Sequence, residues 1–89
     1  MVARTYRVTG RVQGVGYRYF ARAAALRLGA RGWVRNRADG SVEVHAEADG
    51  AVLETLRKEL ERGPSMSWVS EVSEEQATVG NCTSFEIRG

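Results

Sequence analysis

The chain has 89 residues, 27% charged and 43% hydrophobic, with a formal net charge of +2. This length fits one domain, residues 1–89, whose core is large enough to fold without staples and too small to divide. The single cysteine, Cys82, excludes an internal disulfide. No apolar run is long enough to span a bilayer and no apolar leader precedes the first strand pattern, so a cytoplasmic location without membrane partners is expected. Residues 1–37 hold nine arginines and no acidic residue, whereas residues 38–89 hold four basic and eleven acidic ones. If the halves interleave in one sheet, this asymmetry cancels between neighbouring strands and leaves a positive field near Arg18. Arginines scattered singly beside an acidic half also argue against a nucleic-acid surface.

In chain order, Tyr6, Val8, Gly10 and Val12 alternate with Thr5, Arg7, Thr9 and Arg11, the period of a strand with one buried face. A short turn through Gly14 and Gly16 leads into a helix whose apolar positions are Phe20, Ala23, Ala24 and Leu28 and which Gly29 stops. Two short strands follow, Gly32 to Arg37 and Ser41 to Ala46, with Asp39-Gly40 as the hairpin turn. Asp49 is placed to cap a second helix with the stripe Val52, Leu53, Leu56 and Leu60, ended by Gly63-Pro64. A strand from Trp68 to Ala77 and a short strand near Ser84 to Ile87 complete the chain. The order strand-helix-strand-strand-helix-strand predicts an α+β ferredoxin-like sandwich, an antiparallel sheet with two helices on one face.

The run Gly10-Arg11-Val12-Gln13-Gly14-Val15-Gly16-Tyr17-Arg18 carries the strongest chemical signal. Glycines at 14 and 16 allow successive backbone N–H groups to converge on one point, and a helix start adds unpaired donors and a positive dipole end. Arg18 then supplies a planar, permanently charged fork matched to two phosphate oxygens. On local composition alone the same residues also make an ordinary tight turn followed by a surface arginine.

This nine-residue run closely resembles the acylphosphatase signature. Gly32-Trp33-Val34-Arg35-Asn36, followed by Gly40-Ser41-Val42 and later Gly50, resembles the family's second signature, and the closing Phe85-Glu86-Ile87-Arg88 is similar to the family's end. The resemblance implies the ferredoxin-like fold with an extra short strand, and an inner sheet face lined by Val8, Val12, Val34, Val42 and Val44. It also implies hydrolysis of the carboxyl–phosphate anhydride of small acyl phosphates, without metal or other cofactor. Carried over by position, Arg18 and the backbone of Gln13, Gly14, Val15, Gly16 and Tyr17 bind the phosphoryl group, and Arg18 with Asn36 forms the catalytic pair. Inorganic phosphate or sulfate is then expected to compete with substrate, in a protein acting as a monomer. The stretch Pro64-Ser65-Met66-Ser67-Trp68 departs from the Gly-Ala pair common in relatives and bears on loop shape rather than reaction class.

That chemistry suits the residues available. No Ser-His, Cys-His or Lys nucleophile arrangement lies near the motif in sequence, and the acidic residues lack a paired metal-ligand spacing. A carboxylate leaving group, with a pKa of about 4, needs no proton from the protein. Of the remaining candidates, His45 alternates with Val42 and Val44 and is expected as a solvated histidine on the open sheet face, with Trp33. Asn36 shares parity with Val34, toward the helix-covered face, whereas Arg35 and Arg37 have opposite parity and are expected to be solvated. Cys82 reads as a structural or incidental thiol, because no histidine or cationic cluster neighbours it in sequence. Asn81-Cys82-Thr83 fits a glycosylation acceptor, which a cytoplasmic chain would not use. Two readings of other classes remain, an RNA-recognition domain with Trp33 as a lone platform aromatic and a regulatory domain sensing an anion. Both predict binding without turnover.

Overall fold

The computed structural model describes residues 1–89. Its elements are β1 (Val2–Arg11), α1 (Tyr17–Leu28), β2 (Arg31–Asn36), β3 (Val42–Ala48), α2 (Gly50–Arg62), β4 (Trp68–Ala77) and β5 (Phe85–Arg88). All five strands join one sheet in the order β4-β1-β3-β2-β5. The pairs β1–β3, β1–β4 and β2–β3 are antiparallel, while β5 runs parallel to β2. The expected antiparallel sheet is therefore mixed at one edge. The reason is topological: β4 runs opposite to β2, so a chain that reverses once after β4 and crosses to the far edge arrives running with β2.

The helices join β1 to β2 and β3 to β4, strands that are parallel but not adjacent. Right-handed crossovers of this kind place both helices on the same face, where one core forms. Val8, Val12, Val34, Val42 and Val44 are all buried there, as alternation predicts. From α2 come Leu53, Leu56 and Leu60, with Val52 half-buried at the margin. In α1 the buried stripe is Tyr17, Ala21, Ala24 and Ala25, and Phe20 and Leu28 are only partly covered. Ala23, expected in that stripe, is exposed. Alanine is apolar enough to enter a hydrophobic pattern but small enough to lie on either face, so a run of three adjacent alanines conceals the true phase.

Two tyrosines tie the layers together. The hydroxyl of Tyr6 donates to the Leu53 carbonyl at 3.2 Å, and that of Tyr17 to the Leu60 carbonyl at 2.6 Å. Each buried phenol thus reaches an acceptor on α2, which avoids the cost of an unsatisfied hydroxyl. Burial, reinforced by Glu74, pushes the Tyr6 phenol up to about 12, and burial also raises that of Tyr17. Asp49 occupies the N-cap position of α2 with extended backbone, yet its side chain makes no capping hydrogen bond. The α2 N-terminus was expected to be held by that carboxylate; its placement rests instead on the leucine stripe.

Interleaving the basic and acidic halves produces cross-element ion pairs. Arg4 faces Glu74 at 3.8 Å, Arg35 faces Glu43 at 2.6 Å, Arg37 also reaches Glu43 at 3.2 Å, and Arg7 pairs with Asp39. Arg35 and Arg37 are exposed, as expected, and each also pairs with Glu43. Arg18 has no carboxylate within 4 Å, so its charge is not consumed in this way.

Candidate active site

The link between β1 and α1 forms an open backbone cradle. Gly14 has φ 75° and Gly16 has φ 79°, both in the left-handed region that a residue with a Cβ enters at a cost. An added Cβ at either glycine would meet nothing within 4 Å, so no protein atom fills the space beside them. Gly16 is the N-cap of α1 and offers no capping side chain; the first helical bond runs from the Phe20 N–H to the Gly16 carbonyl at 3.1 Å. The backbone N–H groups of residues 13–16 make no backbone hydrogen bond. Together with the first turn of α1 they form an unpaired donor set of the kind that binds anions.

A cleft of about 90 Å³ opens at this point, lined by Val12, Gly14, Gly16, Tyr17, Arg18, Tyr19 and Asn36. Five of the seven expected site residues line it directly. Gln13 and Val15 do not, because their side chains serve elsewhere: the Gln13 amide donates to the Arg37 carbonyl at 2.8 Å and the Ser41 carbonyl at 2.9 Å, and Val15 packs against the core. Gln13 thereby clamps the cradle to the β2–β3 hairpin, which carries Asn36 at the end of β2. That clamp and the core anchor hold the loop in place from both sides.

Asn36 brings an unusual feature to the cleft. Its Oδ1 is buried and has no hydrogen-bond partner in the protein. An orphaned acceptor of this kind costs about 1–3 kcal/mol unless water or a ligand satisfies it. Arg18, half-exposed, donates from Nη1 to the Arg88 carbonyl at 3.2 Å, which leaves the rest of its guanidinium donors free. Arg88 is thus part of the frame through its backbone, and Tyr19, 71% exposed on the rim, is part of the lining. Sequence reading missed both. A carbonyl has no side-chain signature, and a tyrosine on the solvent side of a helix carries none that separates it from an ordinary surface residue.

One other expectation changes on the open face. His45 is on that face, but its side chain is only 12% exposed: Nε2 lies 2.6 Å from Glu47 Oε2, and the ring stacks on Trp33 with centroids 5.6 Å apart and planes 16° from parallel. It is a packed residue, not a solvated one. Cys82, which has no histidine near it in sequence, lies in a cluster with His45 and Glu47 whose ligand-type atoms are all within 4.8 Å of one another. Glu47 is itself 1% exposed and accepts hydrogen bonds from the Gly80 N–H at 2.7 Å and the Cys82 N–H at 3.1 Å. Burial alone would raise the Glu47 carboxyl, but hydrogen bonds from His45 and from these two backbone groups outweigh it and hold it at about 2. Loss of solvent raises the Cys82 thiol, and the Glu47 carboxylate adds to the effect.

The acylphosphatase family profile matches residues 4–87. An acylphosphatase of Koribacter versatilis is 53% identical over 87 residues, covering 97% of this chain and 79% of the relative. An acylphosphatase of Pseudothermotoga lettingae is 44% identical over 87 residues, covering 98% of both. In three dimensions, the crystal structure of acylphosphatase from Bacillus subtilis superposes with a TM-score of 0.97 at 34% identity, covering 100% of both chains. A ferredoxin-like sandwich, a glycine-shaped donor cradle closed by an arginine, and likeness along nearly the whole chain converge on one assignment: this chain belongs to the acylphosphatase family and hydrolyses the acyl-phosphate anhydride bond.

Proposed function

We propose that Arg18 and Asn36 divide the catalytic work, with the backbone of Gln13, Gly14, Val15, Gly16 and Tyr17 as the phosphoryl cradle. The observation that carries this reading is the orphaned Oδ1 of Asn36 in the same small cleft as Gly14, Gly16 and Arg18. The cradle N–H groups and Arg18 neutralise the equatorial phosphoryl oxygens, where charge spreads in the transition state. Once the amide turns toward the cleft, Asn36 Oδ1 accepts one O–H of a water and thereby aims it at phosphorus. Its oxygen bonds to phosphorus as the bond from phosphorus to the acyl oxygen breaks, and the pair of electrons leaves with the carboxylate. The proton of the water passes to the transferred phosphate. The leaving group, with a pKa of about 4, departs without protonation, so the cleft requires no acid.

None of the lining residues carries a carboxylate, imidazole or thiol, so the cleft has no donor set for a metal ion, and the reaction proceeds without one. Inorganic phosphate and sulfate compete for the cradle, because they present the same oxygens. The acyl group meets little beyond the rim, which suits a broad range of small acyl phosphates. All the groups invoked come from residues 1–89, and we assign them to one domain acting as a monomer with no nucleic-acid partner. Hydrolysis of benzoyl and acetyl phosphate in the presence of a chelator, with a phosphate monoester as control, tests the reading. Rapid loss of both anhydrides with little monoester cleavage is expected; loss of activity on chelation, or comparable monoester cleavage, would overturn it.

A further inference from the structure

The open face of the sheet carries a second cluster that the hydrolytic cleft does not use. His45 and Glu47 stand two residues apart on β3, and the segment between β4 and β5 lays Cys82 against them. Glu47 Oε2 lies 2.6 Å from His45 Nε2 and 3.5 Å from Cys82 Sγ. We propose that His45, Glu47 and Cys82 form a binding site for a single zinc ion, with water completing the coordination.

The donor set fits this ion. Zinc takes one thiolate, one imidazole and one carboxylate readily, at metal–ligand distances of about 2.0–2.3 Å, and a tetrahedron of that size separates its ligand atoms by roughly 3.3–3.6 Å. The sulfur–oxygen separation already has this value, and the sulfur and the imidazole nitrogen, within 4.8 Å of each other, reach it by rotation of the Cys82 side chain. The imidazole and the carboxylate need to part by about 0.7 Å, the change made when a shared proton gives way to a metal ion. Harder ions such as magnesium and calcium prefer all-oxygen sites and are poorly matched to sulfur and nitrogen.

The surroundings behave as supports for such ligands. Backbone N–H groups of Gly80 and Cys82 orient the Glu47 carboxylate, and Trp33 stacks on the imidazole, so two of the three ligands are already held in place. Those two backbone bonds tie the segment between β4 and β5 to Glu47. The thiol and the imidazole that also meet this carboxylate are both transition-metal ligands. A cleft of about 250 Å³ that includes Gly80, Asn81, Cys82 and Thr83 in its lining exposes the thiol side of the cluster to solvent, while His45 and Glu47 lie beneath it. On binding, the thiol proton is released to solvent and the imidazole places its remaining proton on Nδ1, leaving the Nε2 lone pair for the metal.

The site is separate from the hydrolytic cleft. Val42, which pairs with Asn36, and Glu47 are five residues apart on β3, roughly 17 Å along the strand. The test is a titration of the full, tag-free chain, reduced and stripped of metal, with Co²⁺ as a spectroscopic probe. We expect saturation at one equivalent, visible absorption of tetrahedral intensity, a thiolate-to-cobalt charge-transfer band, and stoichiometric bleaching by Zn²⁺. Cys82→Ser should abolish the charge-transfer band, and His45→Ala should weaken binding by roughly tenfold or more. Circular dichroism confirms that each variant is folded. Cys82 lies in a half-exposed loop, and the wild-type titration is decisive on its own. Absence of the charge-transfer band from the wild type, or its survival in Cys82→Ser, overturns the site and leaves the cluster as a loop anchor only.

Discussion

At the scale of single residues, the roles proposed for the cleft separate binding from reaction. Arg18 is aimed by one hydrogen bond to the Arg88 carbonyl and meets no carboxylate, so its remaining donors are free to take up a ligand. Arg18→Ala is expected to lower kcat/KM by on the order of 10²–10³-fold and to abolish competition by inorganic phosphate. Arg18→Lys should also be poor, since an ammonium does not reproduce the fork. Activity within a few-fold of wild type in either folded variant contradicts the assignment. Asn36 is proposed to behave differently, its unpartnered oxygen accepting from the attacking water rather than binding phosphate. Asn36→Ala should reduce kcat by on the order of 10²-fold with the inhibition constant of phosphate nearly unchanged. Parallel losses of rate and phosphate affinity would make Asn36 a ligand instead.

At the scale of elements, two turns set the geometry of the cleft. The cradle turn is shaped by positive φ at Gly14 and Gly16, with open space around both. Gly14→Val or Gly16→Val therefore brings backbone strain without a steric clash, at about 1–3 kcal/mol, and swings the N–H groups off their common focus. Phosphate affinity should fall although no charge is removed; isothermal titration with phosphate on protein shown to be folded checks this, and undiminished affinity would refute the backbone cradle. The second turn joins β2 to β3, where Asp39 Oδ1 accepts from the Ser41 hydroxyl at 2.6 Å and the Ser41 N–H at 2.9 Å. These bonds, aided by Arg7, hold the Asp39 carboxyl down at about 2. A group whose folded-state value is depressed stabilises the fold above its ordinary range, and that contribution disappears as pH falls from about 4 through about 2. Melting temperatures across this window should drop less steeply in Asp39→Asn than in wild type. Identical acid limbs would show that the Ser41 bonds contribute nothing net.

At the scale of the whole molecule, one core positions everything else. The sheet buries its valines against Leu53, Leu56 and Leu60 of α2 and the alanine-rich face of α1, and Tyr6 and Tyr17 cross-link the layers. The alanines allow α1 to sit close to the sheet, which brings its N-terminus, and so Arg18, to the ends of β2 and β5. Leu56→Ala leaves a cavity at the centre of α2 and is expected to destabilise by about 2–5 kcal/mol, read as a lower denaturation midpoint with an unchanged denaturant slope. Because the cleft depends on four elements meeting, activity should be lost in the same transition as tertiary structure. Two separate transitions would show that the cradle melts on its own.

The sequence by itself determined the elements and their local chemistry. Alternation in Tyr6, Val8 and Val12 and the spacing of Leu53, Leu56 and Leu60 are properties of neighbours along the chain, as is the glycine turn ahead of Arg18. Asn36 was legible through its signature and through its parity with Val34. The tertiary structure alone decided the contacts that join distant segments: the parallel pairing of β5 with β2, the Arg88 carbonyl on Arg18, the Gln13 clamp to the hairpin, and Cys82 beside His45 and Glu47. These contacts share a physical cause. They use backbone groups that every residue carries, or side chains separated by more than thirty positions in the case of Glu47 and Cys82, and neither leaves a period in the sequence. The phase of α1 was lost for a related reason, because burial of an alanine depends on what packs against it and not on any signal the alanine carries itself.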